Sequence, residues 1–430
     1  MPEFKTVRGM RDFLPEEARL MRFVEDRARQ AARLYGYREI ITPVVEAYEL
    51  LSAKAGEEVR SRMFVFKDLG GRDVALRPEF TASIARLLAT VLRNEPKPLR
   101  LFSVGSIYRY DEPQKGRYRE FWQSNYELMG STRPEADAEV LLLTDSLMKS
   151  AGLQSVAFKI GHVGVLKGIF EQERIKDDIQ SRVMQLMDKK QYSDALKVVA
   201  EAGISAKALQ ALRQLVELRG KDIKTVIEKM RDCVQDYGNA VLAVENLKEI
   251  LDLVSRSGAN LDVTVEAGFA RGLEYYTGMI SEVYVPDLNI ALGGGGRYDR
   301  LIELFGGEPT PAVGIAHGID RIMLGLQEQK TVLRTDMEKS AVIVPIASSL
   351  LGDSLRVAQQ LRMAGVRVEV EVMRRKASKA LEDADRKGID FAVIVGEKEL
   401  KEDAVAVRDL HKREQRTVKI GKLVETIRQG

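Results

Sequence analysis

The sequence predicts an α+β protein of more than one domain, and three observations carry that prediction. Residues 103–129 alternate apolar and polar side chains on either side of a polar loop, which reads as a long antiparallel hairpin. From about Val165 to Arg256 the composition turns to Lys, Asp, Glu, Gln, Leu and Val at helical spacing without strand signals, the pattern of a helical insertion. Beyond residue 339 strand and helix patterns alternate, which predicts a compact α/β domain with a largely parallel sheet. A chain of 430 residues is also too long for one ordinary core.

Taken in order, residues 16–35 form an amphipathic helix with Leu20, Phe23, Val24, Ala28, Ala31 and Leu34 on one face. Pro15 and two glutamates open it and Gly36 closes it. The short strand YREIIT runs into Pro43, and MFVF and DVALR are strands joined by a Gly70-Gly71 turn. Pro78 keeps Arg77 out of the helical region, so a strand ends there. Glu79 to Leu92 then carries Phe80, Ile84, Leu87, Leu88 and Val91 at helical spacing.

The hairpin strands, Ser103 to Tyr110 and Arg119 to Met129, flank the loop Asp111 to Tyr118. Arg109, Arg119, Gln123 and Glu127 share one parity, so they share one sheet face. That face is either solvated or, with Lys115 and Arg117 in the loop, an anion site, because arginine suits forked phosphate contacts. Ala136 to Lys149 is helical, and Val156 to Ile160 and Leu261 to Glu266 are strands on either side of the insertion. Gly293 to Gly296 lack both the Lys-Ser/Thr ending of a P-loop and dinucleotide-fingerprint spacing. Four glycines at a strand end read instead as room for a ligand near the backbone. Arg321 sits just inside a helix beginning near Gly318, where dipole and guanidinium both favour phosphate. In the last domain Arg374, Arg375, Lys376 and Lys379 cluster between strand and helix, as a solvated face or a nucleic-acid contact.

Composition narrows the chemistry. The net charge of +3, from 67 basic and 64 acidic residues, neither demands nor excludes nucleic acid. No apolar run is long enough to span a membrane, and MPEFKTVRGMRDF has no signal-peptide core, so a cytoplasmic protein is expected. A single cysteine, Cys233, excludes an internal disulfide framework and a thiolate zinc cluster, and its polar helical setting reads as an idle or buried thiol. His162, His317 and His411 are scattered, which argues against a histidine metal site. No nucleophile elbow accompanies them. His317 follows the apolar run VGIA and reads as a core histidine.

These stretches together carry a resemblance. The strand ending in Pro43, R-P-E-F-T (77–81) with Y-R-Y-D-E-P-Q-K-G-R-Y-R-E-F-W-Q (108–123), and G-I-D-R (318–321) resemble motifs 1, 2 and 3 of class II aminoacyl-tRNA synthetases. R-G-L-E-Y-Y (271–276) and G-G-G-G-R-Y-D (293–299) resemble the two signatures of the histidyl-tRNA synthetase family. The resemblance covers nearly the whole chain and is weakest in the insertion. It implies a class II catalytic domain, an antiparallel sheet flanked by helices, over residues 1–164 and 257–326. A helical insertion at 165–256, a linker at 327–339 and an α/β anticodon-binding domain at 340–430 complete the implied organisation.

It also implies a homodimer with motif 1 at the interface, and ATP, Mg²⁺, L-histidine and tRNA(His) as ligands. Arg109 and Arg271 resemble the arginines at the α-phosphate, the latter standing where related enzymes use a metal ion. Arg117 and Arg321 resemble those on the γ-phosphate side. Glu79, Thr81 and Gln123 match residues that hold the α-amino group. Glu127 and Tyr276 match the pair that reads the imidazole, and Tyr275 belongs to the same pocket. Gln114 and Lys115, in the loop 111–118, are placed to meet the tRNA acceptor end. Three departures stand out: Phe80 where many members have Gly, Glu274 where Asp is common, and Asp320 where Glu is common.

The chemistry so implied needs no protein nucleophile. A substrate carboxylate attacks the α-phosphorus of ATP, and fixed positive charge neutralises the phosphate as pyrophosphate leaves. The rival of a different class is a non-catalytic regulatory subunit of histidine biosynthesis. Such proteins usually lack the C-terminal domain and have eroded motif arginines, whereas both are intact here.

Overall fold

The computed structural model describes residues 4–53, 56–271, 275–286, 288, 290–331 and 339–429. Glu274 and most of the expected linker therefore lie outside the described residues. The chain divides into two compact units, Met1–Val332 and Leu333–Gly430.

In the first unit nine described strands form one sheet. Its order is Arg38–Glu39, Leu99–Tyr108, Glu120–Met129, Ala312–Gly318, Ala291–Arg297, Met279–Tyr284, Ala157–His162, Asp262–Glu266 and Arg219–Gly220. Every pairing from Leu99–Tyr108 across to Ala157–His162 is antiparallel. Arg38–Glu39 and Asp262–Glu266 join this centre in parallel. The sheet is thus mixed, with an antiparallel middle.

The alternation of the hairpin sorts its two faces. Even-numbered Tyr126 is fully buried, and its hydroxyl donates to the Ala28 carbonyl at 3.0 Å, which ties helix Pro15–Leu34 to the sheet. Helices Pro134–Ala151 and Ile319–Glu328 pack with that helix and with strands Glu120–Met129 and Ala312–Gly318. Odd-numbered Gln123, Asn125 and Glu127 take the opposite parity. Helix Thr81–Ala89 is shorter than its periodicity predicts, and Ile84, Ala85 and Leu88 pack on Leu99, Leu101 and Ile107.

The insertion is helical apart from the pair Arg219–Gly220, which adds to the edge strand Asp262–Glu266. Two residues are too few to alternate, so no pattern announces them. Cys233 lies in helix Ile223–Val234, and its Sγ donates to Gln214 Oε1 at 3.4 Å.

The second unit holds a five-stranded sheet in the order Arg367–Val370, Ser340–Pro345, Phe391–Val395, Ala404–Asp409 and Gln415–Lys419. The first three strands are parallel and the last two antiparallel, so the sheet is less parallel than expected. The closing hairpin escapes the sequence reading because its last strand, QRTVK, is almost wholly polar and exposed. In the basic cluster Arg375 is bound to buried Glu371 at 2.7 Å and to Asp383 at 3.2 Å, and Lys379 pairs with Glu382. Among the described residues Arg374 and Lys376 form no such ion pair.

Candidate active site

A cleft of about 140 Å³ opens over the middle of the first sheet. Glu79, Thr81, Arg109, Gln123, Glu127, Arg271, Tyr275, Tyr276 and Arg321 all line it. A larger cleft of about 560 Å³ shares Glu282, Ala291 and Arg321 with it and is lined by Gln114, Lys115 and Arg117. Arg119 lines neither: its guanidinium stacks 3.6 Å over Tyr110 and its Nε donates to the Asp111 carbonyl.

The glycine-rich strand Ala291–Arg297 lies within the sheet, and its neighbours explain its composition. A Cβ on Gly294 would fall 1.9 Å from Arg271 Nη1. On the adjacent strand, Gly314 stands opposite Glu127, and a Cβ there would fall 1.7 Å from Glu127 Oε2. Gly294 and Gly314 thus leave room for the Arg271 and Glu127 side chains, and Gly293, Gly294, Gly295 and Gly314 also line the cleft, beside which the sequence reading expected a ligand.

One end of the cleft is cationic. Arg321 donates from Nε to the Gly116 carbonyl at 3.1 Å and from Nη1 to the Ala291 carbonyl at 2.7 Å. Arg109 Nε donates to the Pro78 carbonyl at 2.9 Å. Arg271 Nη1 donates to the Ser281 carbonyl at 3.2 Å and to Glu282 Oε1 at 3.1 Å. Glu282 also accepts from Lys159 Nζ at 3.1 Å and from the Tyr284 hydroxyl. Burial, and then the like charges of Arg109, Arg117 and Arg271, depress the pKa of Arg321 to about 10. Three guanidinium groups thus bear on that of Arg321, an arrangement that an anion with several oxygens relieves.

The other end is acidic and dry. Glu127 is 1% exposed. Its Oε1 accepts from Thr81 Oγ1 at 2.7 Å and from Asn125 Nδ2 at 2.9 Å, and its Oε2 from the Tyr298 hydroxyl. Burial lifts its pKa to about 7, against the pull of the Tyr298, Asn125 and Thr81 hydrogen bonds. Glu79 is also shifted upward by burial, opposed by Arg109, and accepts from the Tyr275 hydroxyl at 3.2 Å. Burial drives the Tyr276 phenol up to about 12, so it stays protonated and able to donate. Gln123 is 9% exposed, and its Oε1 is buried without a partner among the described residues. A positively charged ammonium beside Glu79 and Gln123, and a ring nitrogen beside Glu127, would complete these groups.

Four residues of the site were not singled out from sequence. Asn125 shares the parity of Gln123 and Glu127, which is a usable signal, and Tyr298 stands inside G-G-G-G-R-Y-D. Lys159 and Glu282 carry no local signal, because they meet only through the register of two strands distant in sequence. Phe80 is 2% exposed and packs with Ile84 and Leu88 behind the cleft, under the Arg77 guanidinium at 4.4 Å. His317 is a core residue: its Nε2 lies 3.0 Å from Thr144 Oγ1, and burial holds its pKa near about 3.

Known proteins resemble this chain over nearly its whole length. Residues 9–322 match the family model for histidyl-tRNA synthetase, and residues 340–430 match that for an anticodon binding domain. A histidine–tRNA ligase of Methanocaldococcus jannaschii is 42% identical, with 98% of each chain covered. One of Pyrococcus furiosus is 37% identical, with 97% of each covered. Among solved structures, a histidyl-tRNA synthetase from a Nostoc species aligns over 100% of both chains with a TM-score of 0.81 and 25% identity. An ATP phosphoribosyltransferase regulatory subunit/histidyl-tRNA synthetase from Bacillus halodurans aligns over 89% of this chain and 97% of its own, with a TM-score of 0.76 and 28% identity. Since the first matched segment spans the sheet and the residues of both clefts, this chain belongs to the histidyl-tRNA synthetase family.

Proposed function

We propose that this chain is a histidine–tRNA ligase that activates L-histidine with ATP and transfers it to the 3′ end of tRNA(His). The observation that carries the reading is the polarity of one cleft, with Arg109, Arg271 and Arg321 at one end and Glu127 at the other, and Arg117 in the adjoining larger cleft. Histidine spans the two. Its ammonium meets Glu79 and Gln123, and its imidazole meets Glu127 and the Tyr276 phenol. Its carboxylate is thereby aimed at the arginines.

In the first step that carboxylate bonds to the α-phosphorus of ATP while the bond to pyrophosphate breaks. Arg109 and Arg271 hold the α-phosphate, and Arg117 and Arg321 the outer phosphates. The Arg109, Arg271 and Arg321 guanidinium groups are fixed by backbone carbonyls and Glu282, so little reorganisation is needed there as charge shifts. Mg²⁺ would enter with ATP, and Glu282, beside Arg271, is the carboxylate that would face it. Bound there, it would offset charge on the outer phosphates. In the second step a hydroxyl of the tRNA terminal ribose attacks the histidyl carbonyl, the bond to AMP breaks, and AMP and a proton leave, with Gln114 and Lys115 in the larger cleft meeting the acceptor end.

We further infer a homodimer through the motif 1 region, where Ile41, Val44 and Val45 expose apolar surface around Pro43. The regulatory-subunit alternative is disfavoured by the retained arginines and by the matched C-terminal segment.

The test is ATP–pyrophosphate exchange across the amino acids, which should depend on histidine. Arg271→Lys keeps the charge and loses the planar fork. It should slow single-turnover adenylate formation about a hundredfold, the worth of an electrostatic contact made in the transition state. A rate within a few-fold of the parent would reduce Arg271 to a partner of Glu282.

A further inference from the structure

The segment Gly9–Phe13 has no part in the roles above, yet it touches the neighbours of two phosphate-side arginines. The Gly9 carbonyl accepts from Arg119 N at 2.8 Å, at the end of the loop 111–118. Gly9 has a φ of 84°, and a Cβ there would fall 2.7 Å from Arg119 Cγ, so the segment lies directly against the hairpin. The Arg11 guanidinium stacks 3.8 Å over Tyr118 and 4.4 Å from Phe13, whose ring meets Trp122 edge-on at 5.4 Å. The same guanidinium forms an ion pair with Asp320, which is 3% exposed. The other oxygen of Asp320 accepts from Trp122 N at 2.6 Å.

Tyr118 directly follows Arg117, and Asp320 directly precedes Arg321. A single side chain therefore joins the loop that carries one arginine to the helix that carries the other. Those two arginines repel each other, and exposed Arg117 can relieve that repulsion by turning into solvent, against the hold of Arg321 Nε on the Gly116 carbonyl. Arg11 opposes that movement without adding to the repulsion, since its own charge is matched by Asp320.

We propose that Gly9–Phe13 is a clasp and that Arg11 is a positioning residue, holding Arg117 and Arg321 at the spacing the outer phosphates of ATP require. The inference rests on the proposed ligase reading. The contacts that make the clasp are a planar stack and a buried ion pair, so lysine replaces only the second.

The experiment is histidine-dependent ATP–pyrophosphate exchange by the full chain, with KM measured separately for ATP and histidine. Arg11→Met should raise the KM for ATP about tenfold, as expected when binding groups are misplaced rather than removed, with that for histidine unchanged within about twofold. Arg11→Lys should recover part of the loss. Asp320→Asn, which still accepts from Trp122 N, should give the same ATP-specific defect. The double variant Arg11→Met/Asp320→Asn should be no worse than the poorer single variant, because both break one contact. Should Arg11→Met fail to fold, Arg11→Lys and Asp320→Asn carry the test. A merely structural segment would lower the melting temperature and leave both KM values alone, and that result overturns the clasp. Equal rises in the two KM values, or additive losses in the double variant, overturn it as well. Absence of histidine-dependent exchange in the parent protein would instead overturn the reading of the cleft, and the clasp with it.

Discussion

On the proposed function, Glu127 accepts a hydrogen bond from an imidazole while lying in a site that disfavours its charge. Burial raises its pKa from 4.5 to about 7, while Tyr298, Asn125 and Thr81 pull the other way. The folded chain consequently binds this proton more tightly than the unfolded chain does. Its ionised form costs stability above about pH 7, and that cost fades as pH falls toward 4.5. In the ligand-free protein, Glu127→Gln should flatten this part of the pH dependence. Melting temperatures followed from about pH 5 to about pH 8 should show the parent losing more stability than the variant as pH rises, the direction its raised pKa sets. Function runs the other way, because the ionised carboxylate is the better acceptor. Glu127→Gln should lower kcat/KM for histidine about tenfold to a hundredfold, the worth of a hydrogen bond to a charged group, with the KM for ATP unchanged. Unaltered histidine activation would remove Glu127 from the pocket. Parity along one strand was enough to group Gln123 with Glu127 from sequence. Tyr298 reaches the same carboxylate from a different strand end, and nothing in local spacing reports that contact.

The central strands work as a unit because their register makes particular backbones yield to particular side chains. Gly314 faces Glu127 across one pairing, and Gly294, paired with Glu282, lies beneath Arg271. Neither glycine has a left-handed backbone, so alanine is opposed by neighbours only, the Glu127 carboxylate at Gly314 and the Arg271 guanidinium with the Ser281 carbonyl at Gly294. Two substitutions should therefore separate the two ends of the cleft. Gly314→Ala displaces the Glu127 carboxylate and should chiefly raise the KM for histidine. Gly294→Ala displaces Arg271 and should chiefly slow adenylate formation at saturating substrates. Losses on the order of a hundredfold are expected for displacements of this size. Matching profiles for the two variants would mean that the sheet, and not the named contact, had been disturbed. Four glycines in a row were visible in the sequence as a demand for space. What fills the space was not, because it depends on which strands become neighbours. The same limit hid the Lys159–Glu282 pair, whereas the Gly70-Gly71 turn and the long hairpin are set by adjacent residues and were readable. The two-residue strand Arg219–Gly220 and the polar strand Gln415–Lys419 failed to register for a related reason, since pairing rather than side-chain pattern defines them.

On the proposed function, the division of the chain into Met1–Val332 and Leu333–Gly430 separates two kinds of work. All the residues assigned to adenylate formation lie in the first unit, and the second has its own core around Ile343, Val357, Leu361 and Val393. Each unit therefore has the packing needed to stand when the other is removed. A chain ending at residue 332 should keep histidine-dependent pyrophosphate exchange within a few-fold of the parent. Charging of tRNA should fall much further, because the anticodon-binding match is lost. Sedimentation should accompany the measurement, since a truncated chain that no longer self-associates would lose activity for a different reason. Within the full chain, Arg374→Ala with Lys376→Ala supplies the finer version, since these two cations of the basic cluster are not neutralised by the ion pairs that hold Arg375 and Lys379. If they meet phosphates of tRNA, the double variant should weaken tRNA binding and reduce its salt dependence by about one logarithmic slope unit per lost contact. Pyrophosphate exchange should be untouched. Charging by the truncated chain at the parent rate, with its fold intact, would place tRNA recognition in the first unit alone.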